Sequence, residues 1–169
     1  MKKLVVISAP CGVGKSTIID ALNENNMLEE YACLDADELG LNWWDYAGTE
    51  QEERFSEDCL KEAVKKSGNK NILLGSCLNP YDYYSKVVTP EEVEATYFVG
   101  MVCSDEEIRY RLKARPAERM CGSDEFIEGQ IQYKAWYKTN KGKFQLFLDN
   151  SNMEINKTAE VIAEFVKKL

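Results

Sequence analysis

Residues 9–17, Ala-Pro-Cys-Gly-Val-Gly-Lys-Ser-Thr, constrain what this chain can fold into more than any other segment. They follow the apolar run Leu4-Val5-Val6-Ile7 and lead into a stretch with Ile18, Ile19 and Leu22 at helical spacing. A continuous β-branched run suits a strand buried on both faces. Gly12 and Gly14 permit a tight turn whose backbone amides point inward. The order strand, glycine-rich turn, helix start makes a cradle for an anion, because the first turn of a helix offers free N–H groups and positive potential. The helix is expected from about residue 15 to residue 25.

The spacing fits the phosphate-loop pattern G-x-x-x-x-G-K-[ST] at Gly14, Lys15 and Ser16, with Ala9 in place of the first glycine. That exchange costs nothing if the backbone at Ala9 keeps a negative φ. The expected ligand is the triphosphate of ATP, held by Cys11, Gly12, Val13, Gly14, Lys15, Ser16 and Thr17. Lys15 can reach the β- and γ-phosphates, and the Ser16 hydroxyl can face Mg²⁺.

Strand and helix signals alternate to the end of the chain. Residues 31–34, 71–75, 96–103 and 144–148 read as further strands. Thr49 with Glu52 forms a capping box that should open a helix carrying Phe55, Cys59 and Ala63 on one face. Ser104 with Glu107 caps another, which Pro116 should stop near Arg115. A helix over 124–138 follows, and the last helix carries Ile155, Ala159, Ile162, Val166 and Leu169 on one side. The pattern predicts an α/β, three-layer fold: a five-stranded parallel sheet with helices on both faces, in one domain spanning 1–169. The irregular stretches 36–48 and 76–95 should lie at the carboxyl ends of strands, where such sheets build ligand sites.

Composition removes several function classes. A net charge of −8 argues against polynucleotide binding. No apolar run approaches the ~18 residues of a membrane span, and the apolar start is too short for a leader peptide. The chain is therefore expected to be cytoplasmic, as a monomer or homodimer. Six cysteines, at 11, 33, 59, 77, 103 and 121, form no Cys-x-x-Cys pair; Cys33, Cys77 and Cys103 end apolar runs and read as small core side chains. With no histidine, imidazole bases and HExxH zinc sites are excluded.

Leu34-Asp35-Ala36-Asp37 puts two carboxylates on one face of a strand end. Beside a phosphate loop, one can hold a metal-bound water and the other can orient an acceptor hydroxyl. Arg111, Arg115 and Arg119 sit in Arg-Leu-Lys-Ala-Arg-Pro-Ala-Glu-Arg, 111–119. Guanidinium forks suit a transferring phosphoryl group. With these three segments the chain resembles the small P-loop kinases of the shikimate, gluconate and adenylylsulfate type and their nucleoside and nucleotide kinase relatives. The resemblance implies a lid around 111–124, Asp35 near Mg²⁺, Asp37 on the acceptor hydroxyl, and a loop at Asn150 against the adenine. A plain capping turn explains Asn150 equally well.

The acceptor side is marked by Asn42-Trp43-Trp44-Asp45-Tyr46, with Tyr81, Tyr83 and Tyr84 after strand three. Trp43, Trp44 and Tyr46 could stack on a nucleobase, or pack a cover onto the sheet. Gly75, ending the third strand, completes the expected acceptor pocket with Asp35 and Asp37. The implied activity is transfer of the γ-phosphoryl group of ATP to a hydroxyl of a small molecule, a nucleoside or nucleotide. The alternative is an ATP-binding regulatory or NTPase module without such transfer. A GTPase reading fails, because Asp37-Glu38-Leu39-Gly40 has no Asn-Lys-x-Asp to accompany it.

Overall fold

The computed structural model describes all residues 1–169. Its five strands are β1 (Lys2–Ser8), β2 (Tyr31–Asp35), β3 (Asn71–Ser76), β4 (Val93–Val102) and β5 (Leu146–Asp149). All neighbours run parallel, in the order β2-β3-β1-β4-β5. Six α-helices cover the sheet: α1 (Lys15–Glu24), α2 (Phe55–Lys66), α3 (Pro80–Lys86), α4 (Asp105–Lys113), α5 (Asp124–Thr139) and α6 (Ile155–Val166).

β1 explains the layering. It is the central strand, with Leu4 paired to Ile72 on one side and to Thr96 on the other. Its side chains alternate between two cores. Val5 and Ile7 join Leu73, Val99 and Met101 under α1 and α6. Leu4 and Val6 join Ile72, Leu74 and Phe98 under α2, α3 and the end of α5. Leu4, Val5, Val6 and Ile7 have no exposed surface, which is why the run carries no polar residue. Each such side chain contributes ~1.5–3 kcal/mol when buried. This burial anchors the end of β1, and so the loop that follows it, at the centre of the sheet.

The alternating reading of the sequence holds, with local corrections. Thr49 and Glu52 do not cap a long helix. Gln51 N–H donates to Thr49 Oγ1 (3.1 Å) and Gly48 N–H to Glu52 Oε2 (2.6 Å), which tie the turn before the 3₁₀ segment Glu52–Arg54, itself without a side-chain cap, and α2 begins only at Phe55. α4 ends at Lys113 with Ala114 as its C-cap, next to Arg115 as expected, because the residue before Pro116 is disfavoured in the helical region. β5 starts at Leu146, since Phe144 instead stacks on Tyr137 with ring centroids 5.4 Å apart. Ile155 is exposed and does not join the inner face of α6.

Residues 76–95 are less irregular than expected. α3 lies there, opened by Asn79, whose Oδ1 accepts from Asp82 N–H (2.9 Å), and by Pro80 at the first helical position. Proline suits that place because no N–H is needed there. Of the three tyrosines nearby, Tyr83 is a core residue, its hydroxyl sharing hydrogen bonds with Thr96 and Thr89, and it is not part of any acceptor surface.

Candidate active site

The loop after β1 folds as its glycines require. Gly12 and Gly14 have φ of 85° and 109°, in the left-handed region. Ala9 does not, so the exchange of the first glycine is unstrained. A Cβ at Gly12 would stand 3.0 Å from Leu112 Cγ, and one at Gly14 would stand 3.4 Å from Arg111 Nη1. Gly14 precedes α1 without a side-chain cap, which leaves the first amides of that helix open to an anion. Ser16 and Thr17 lie in its first turn.

Lys15 is turned back onto the loop. Its Nζ donates to the carbonyls of Ala9 (2.8 Å) and Pro10 (3.1 Å) and lies 3.4 Å from Cys77 Sγ. Burial alone would lower the pKa of its ammonium, but the Cys77 and Cys11 sulfurs beside it outweigh that and hold the pKa above its ordinary value. Lys15 is therefore a fixed positive charge at the centre of the loop.

Asp35 ends β2, but Asp37 does not share its strand face: the chain turns into a 3₁₀ helix over Ala36–Glu38, which Asp35 caps, so Asp35 is buried and Asp37 exposed. Asp35 is buried, and its Oδ1 accepts from Asp37 N–H at 2.9 Å. Its Oδ2 is buried with no partner at all. Leaving such an oxygen unpaired is costly, so a cation, water or ligand hydroxyl there would be welcome. Asp35 pairs in register with Gly75, where a Cβ would meet Ile19 Cγ1 at 3.2 Å and Lys15 Cβ at 3.6 Å. Gly75 thus lets the stem of Lys15 lie against β3. No group of three or more Cys, Asp or Glu side chains is arranged as a metal cage.

The arginines do three different things. Arg111 donates from Nη1 to Val13 O (2.9 Å) and Gly12 O (3.3 Å), and pairs through Nη2 with Glu107 (2.9 Å). It braces the loop from the side of α4. Arg115 is half-buried, with its charge close enough to Cys11 to act on that thiol. Arg119, in the 3₁₀ turn Ala117–Arg119, crosses to Asp37 and holds Oδ2 at 2.7 Å. The segment between α4 and α5 thereby reaches over to the end of β2.

Asn150, just past β5, is buried. Its Nδ2 donates to Val13 O at 3.3 Å, and its Oδ1 is a second buried oxygen without a partner. Trp43 and Trp44 are each about two-fifths exposed. Trp43 and Tyr46 both pack edge-on against Phe55 (5.2 and 5.1 Å), and the Tyr46 hydroxyl donates to Asp58 (3.2 Å). Tyr46 is thereby engaged by α2, while Trp44 makes no ring contact.

Two parts of the site escaped the sequence. Gln130, on α5, accepts from Cys11 N–H through Oε1 (2.8 Å), and Cys77, just after β3, places its sulfur 3.7 Å from Cys11 Sγ. The reading of Cys77 as a core side chain is corrected: β3 ends at Ser76, and the next residue leaves the sheet, so Cys77 is exposed beside the loop that follows β1.

The AAA domain family model matches residues 5–132, from β1 into α5. No curated protein matches the sequence. Among solved structures, shikimate kinase from Acinetobacter baumannii in complex with shikimate superposes with a TM-score of 0.61 at 13% identity, covering 99% of this chain and 94% of that one. A gluconokinase from Sinorhizobium meliloti gives 0.57 at 13%, covering 99% and 96%. Deoxyadenosine kinase from M. mycoides, with dCMP and a flexible dCDP bound, gives 0.55 at 15%, covering 98% of each. The shared feature is the fold, in this chain a five-stranded parallel sheet whose central strand leads into a glycine-rich loop. With that loop, that sheet and a match over most of its length, the chain belongs to the AAA domain family and has the α/β P-loop NTPase fold.

Proposed function

We propose that this protein is a small-molecule kinase, which transfers the γ-phosphoryl group of Mg-ATP to a hydroxyl of a nucleoside or nucleotide. The observation that carries this reading is the Arg119–Asp37 pair at 2.7 Å. It joins the lid to the carboxylate best suited to orient an acceptor, beside a loop suited to hold the donor.

Each residue then has a task. The loop amides from Cys11 to Thr17 and the start of α1 bind the phosphates, and Lys15 exchanges the Ala9 and Pro10 carbonyls for β- and γ-phosphate oxygens. Arg111 and Asn150 hold the loop through Val13 O. Ser16 and Asp35 would hold Mg²⁺, whose charge offsets that of the phosphates when it is bound. The unpartnered Oδ2 of Asp35 supports that placement. Asp37 orients the acceptor hydroxyl and takes its proton. Arg115 and Arg119 face the equatorial oxygens as charge spreads over them. The exposed face of Trp44, beside Trp43, supports an aromatic acceptor over a small carboxylate.

The test is Asp37→Asn. It should leave ATP affinity within about twofold while lowering acceptor-dependent turnover by ~10²–10⁴. Undiminished turnover in this variant would remove Asp37 from the mechanism.

A further inference from the structure

Two thiols stand at the mouth of the phosphate loop, from the carboxyl ends of the two adjacent strands β1 and β3. Ser8 and Ser76 are paired in register, and the chain then diverges to Cys11 on one side and Cys77 on the other. Their sulfurs are 3.7 Å apart, and the Lys15 ammonium is 3.4 Å from Cys77 Sγ. Cys77 is exposed and Cys11 half-buried, whereas Cys33, Cys59, Cys103 and Cys121 are buried in the cores. The position of Cys77 is also fixed. Its carbonyl accepts from the Tyr133 hydroxyl (2.9 Å), and Cys11 N–H is held by Gln130 (2.8 Å), so both thiols are tied to α5.

We propose that Cys77 and Cys11 form an oxidation site for hydroperoxides, in which Cys77 attacks, Cys11 resolves, and the resulting disulfide shuts the phosphate loop.

The roles follow from the surroundings. The Cys11 thiol lies along the Cys77 sulfur as a hydrogen-bond donor and the Lys15 ammonium stands beside it, and these lower the Cys77 pKa against the effect of burial. The same contact, with burial, raises the Cys11 pKa. A thiolate is the nucleophile in thiol chemistry, so the exposed, cation-paired sulfur reacts first. The charged groups facing the pair are Lys15, Arg115 and Asp37; the first two favour a thiolate and Asp37 opposes it.

In the first step the Cys77 thiolate attacks the terminal oxygen of the hydroperoxide. An S–O bond forms, the O–O bond breaks, and the departing alkoxide or hydroxide takes a proton from water. Cys77 is now a sulfenic acid, its sulfur oxidised by two electrons and the peroxide reduced by two. In the second step Cys11 loses its proton, its sulfur attacks Cys77 sulfur, and the S–O bond breaks with release of water. Closing 3.7 Å to a disulfide bond needs about 1.7 Å of approach. An external dithiol reverses the bond by exchange.

The chemistry of the two thiols does not depend on the kinase reading. Only its consequence, loss of triphosphate binding, rests on the loop being a phosphate site. Bound triphosphate should in turn slow the oxidation, because it draws Lys15 away and sets negative charge beside Cys77.

The experiment treats the whole protein with equimolar hydrogen peroxide, alkylates the remaining thiols, and maps the peptides by mass spectrometry. The expected result is a linked peptide pair containing Cys11 and Cys77, with the other four cysteines alkylated. Cys11→Ser should stop at a Cys77 sulfenic acid that a dimedone probe captures, and Cys77→Ser should leave Cys11 reduced. In the same samples, a fluorescent ATP analogue should bind at least about tenfold more weakly after oxidation and recover with dithiothreitol. Oxidation spread evenly over all six cysteines, or an unlinked Cys11, would overturn the proposal. A Cys11–Cys77 disulfide in a protein that binds no ATP analogue when reduced would uphold the thiol chemistry and count against the kinase reading alone.

Discussion

Lys15 donates to the carbonyls of Ala9 and Pro10 and rests against Cys77, and under the proposed function a triphosphate replaces all three contacts. Charge-assisted bonds to phosphate contribute ~1.5–3 kcal/mol each, so Lys15→Met should weaken ATP binding by about ten- to a hundredfold in a fluorescence titration. Four of the thiols should separate by pH. The Cys77 pKa is lowered, whereas burial pushes the Cys33 and Cys103 thiols up to about 11 and Cys59 to about 12. A lowered pKa keeps the thiolate as pH falls. Iodoacetamide labelling of Cys77 should therefore persist from mildly alkaline to neutral pH, where the other three stay unlabelled; equal labelling would contradict the assigned surroundings. The loop residues 9–17 were legible in the sequence because their chemistry needs fixed spacing. Cys77 was not, because what matters about it is a neighbour 66 residues away. Asp35 and Asp37 were legible as a pair, but the Arg119 partner of Asp37 depends on how the segment after α4 turns.

α3 is the element that pattern reading missed. It has seven residues and three tyrosines in place of an apolar stripe, so no helical period shows. Its start signals, Asn79 and Pro80, were nevertheless present. Asn79 is buried, and besides capping α3 it donates to Asp82 Oδ2 and to the Tyr133 hydroxyl (2.7 Å each). Asn79→Ala removes the cap and leaves Tyr133 without that donor. The expected loss is ~2 kcal/mol, or a melting temperature lower by about 4–8 °C for a domain of this size. A shift below one degree by calorimetry would mean that α3 is not held by this residue. The Thr49–Glu52 box shows the opposite lesson. The local signal was present, but its side chains tie the turn at Gly48 and Gln51 and open no long helix, and Trp43 and Tyr46 gather on Phe55, where α2 begins.

The alternation of strands and helices dictated a parallel sheet, yet it did not dictate the order β2-β3-β1-β4-β5. Strand order depends on which faces of the helices fit together, as with α1 and α6 over Val5 and Ile7, and no single segment encodes that. The order is what sets the ends of β1 and β3 side by side, bringing Lys15, Asp35, Gly75 and Cys77 into one region. A ligand there should stabilise the whole molecule. Mg-ATP at a hundred times its dissociation constant adds about 2.7 kcal/mol, which raises the melting temperature by roughly 5–11 °C, and EDTA should remove part of that gain. The most direct measurement of the central claim is ADP formation from Mg-ATP with and without nucleosides, nucleotides, sugars and hydroxy acids, run for the wild-type protein and Asp37→Asn. A phosphoryl-transfer enzyme gives ADP in proportion to one class of acceptor, matched by phosphorylated product, and loses it in Asp37→Asn. ADP formation that no acceptor changes, and that is equal in the two proteins, would contradict it.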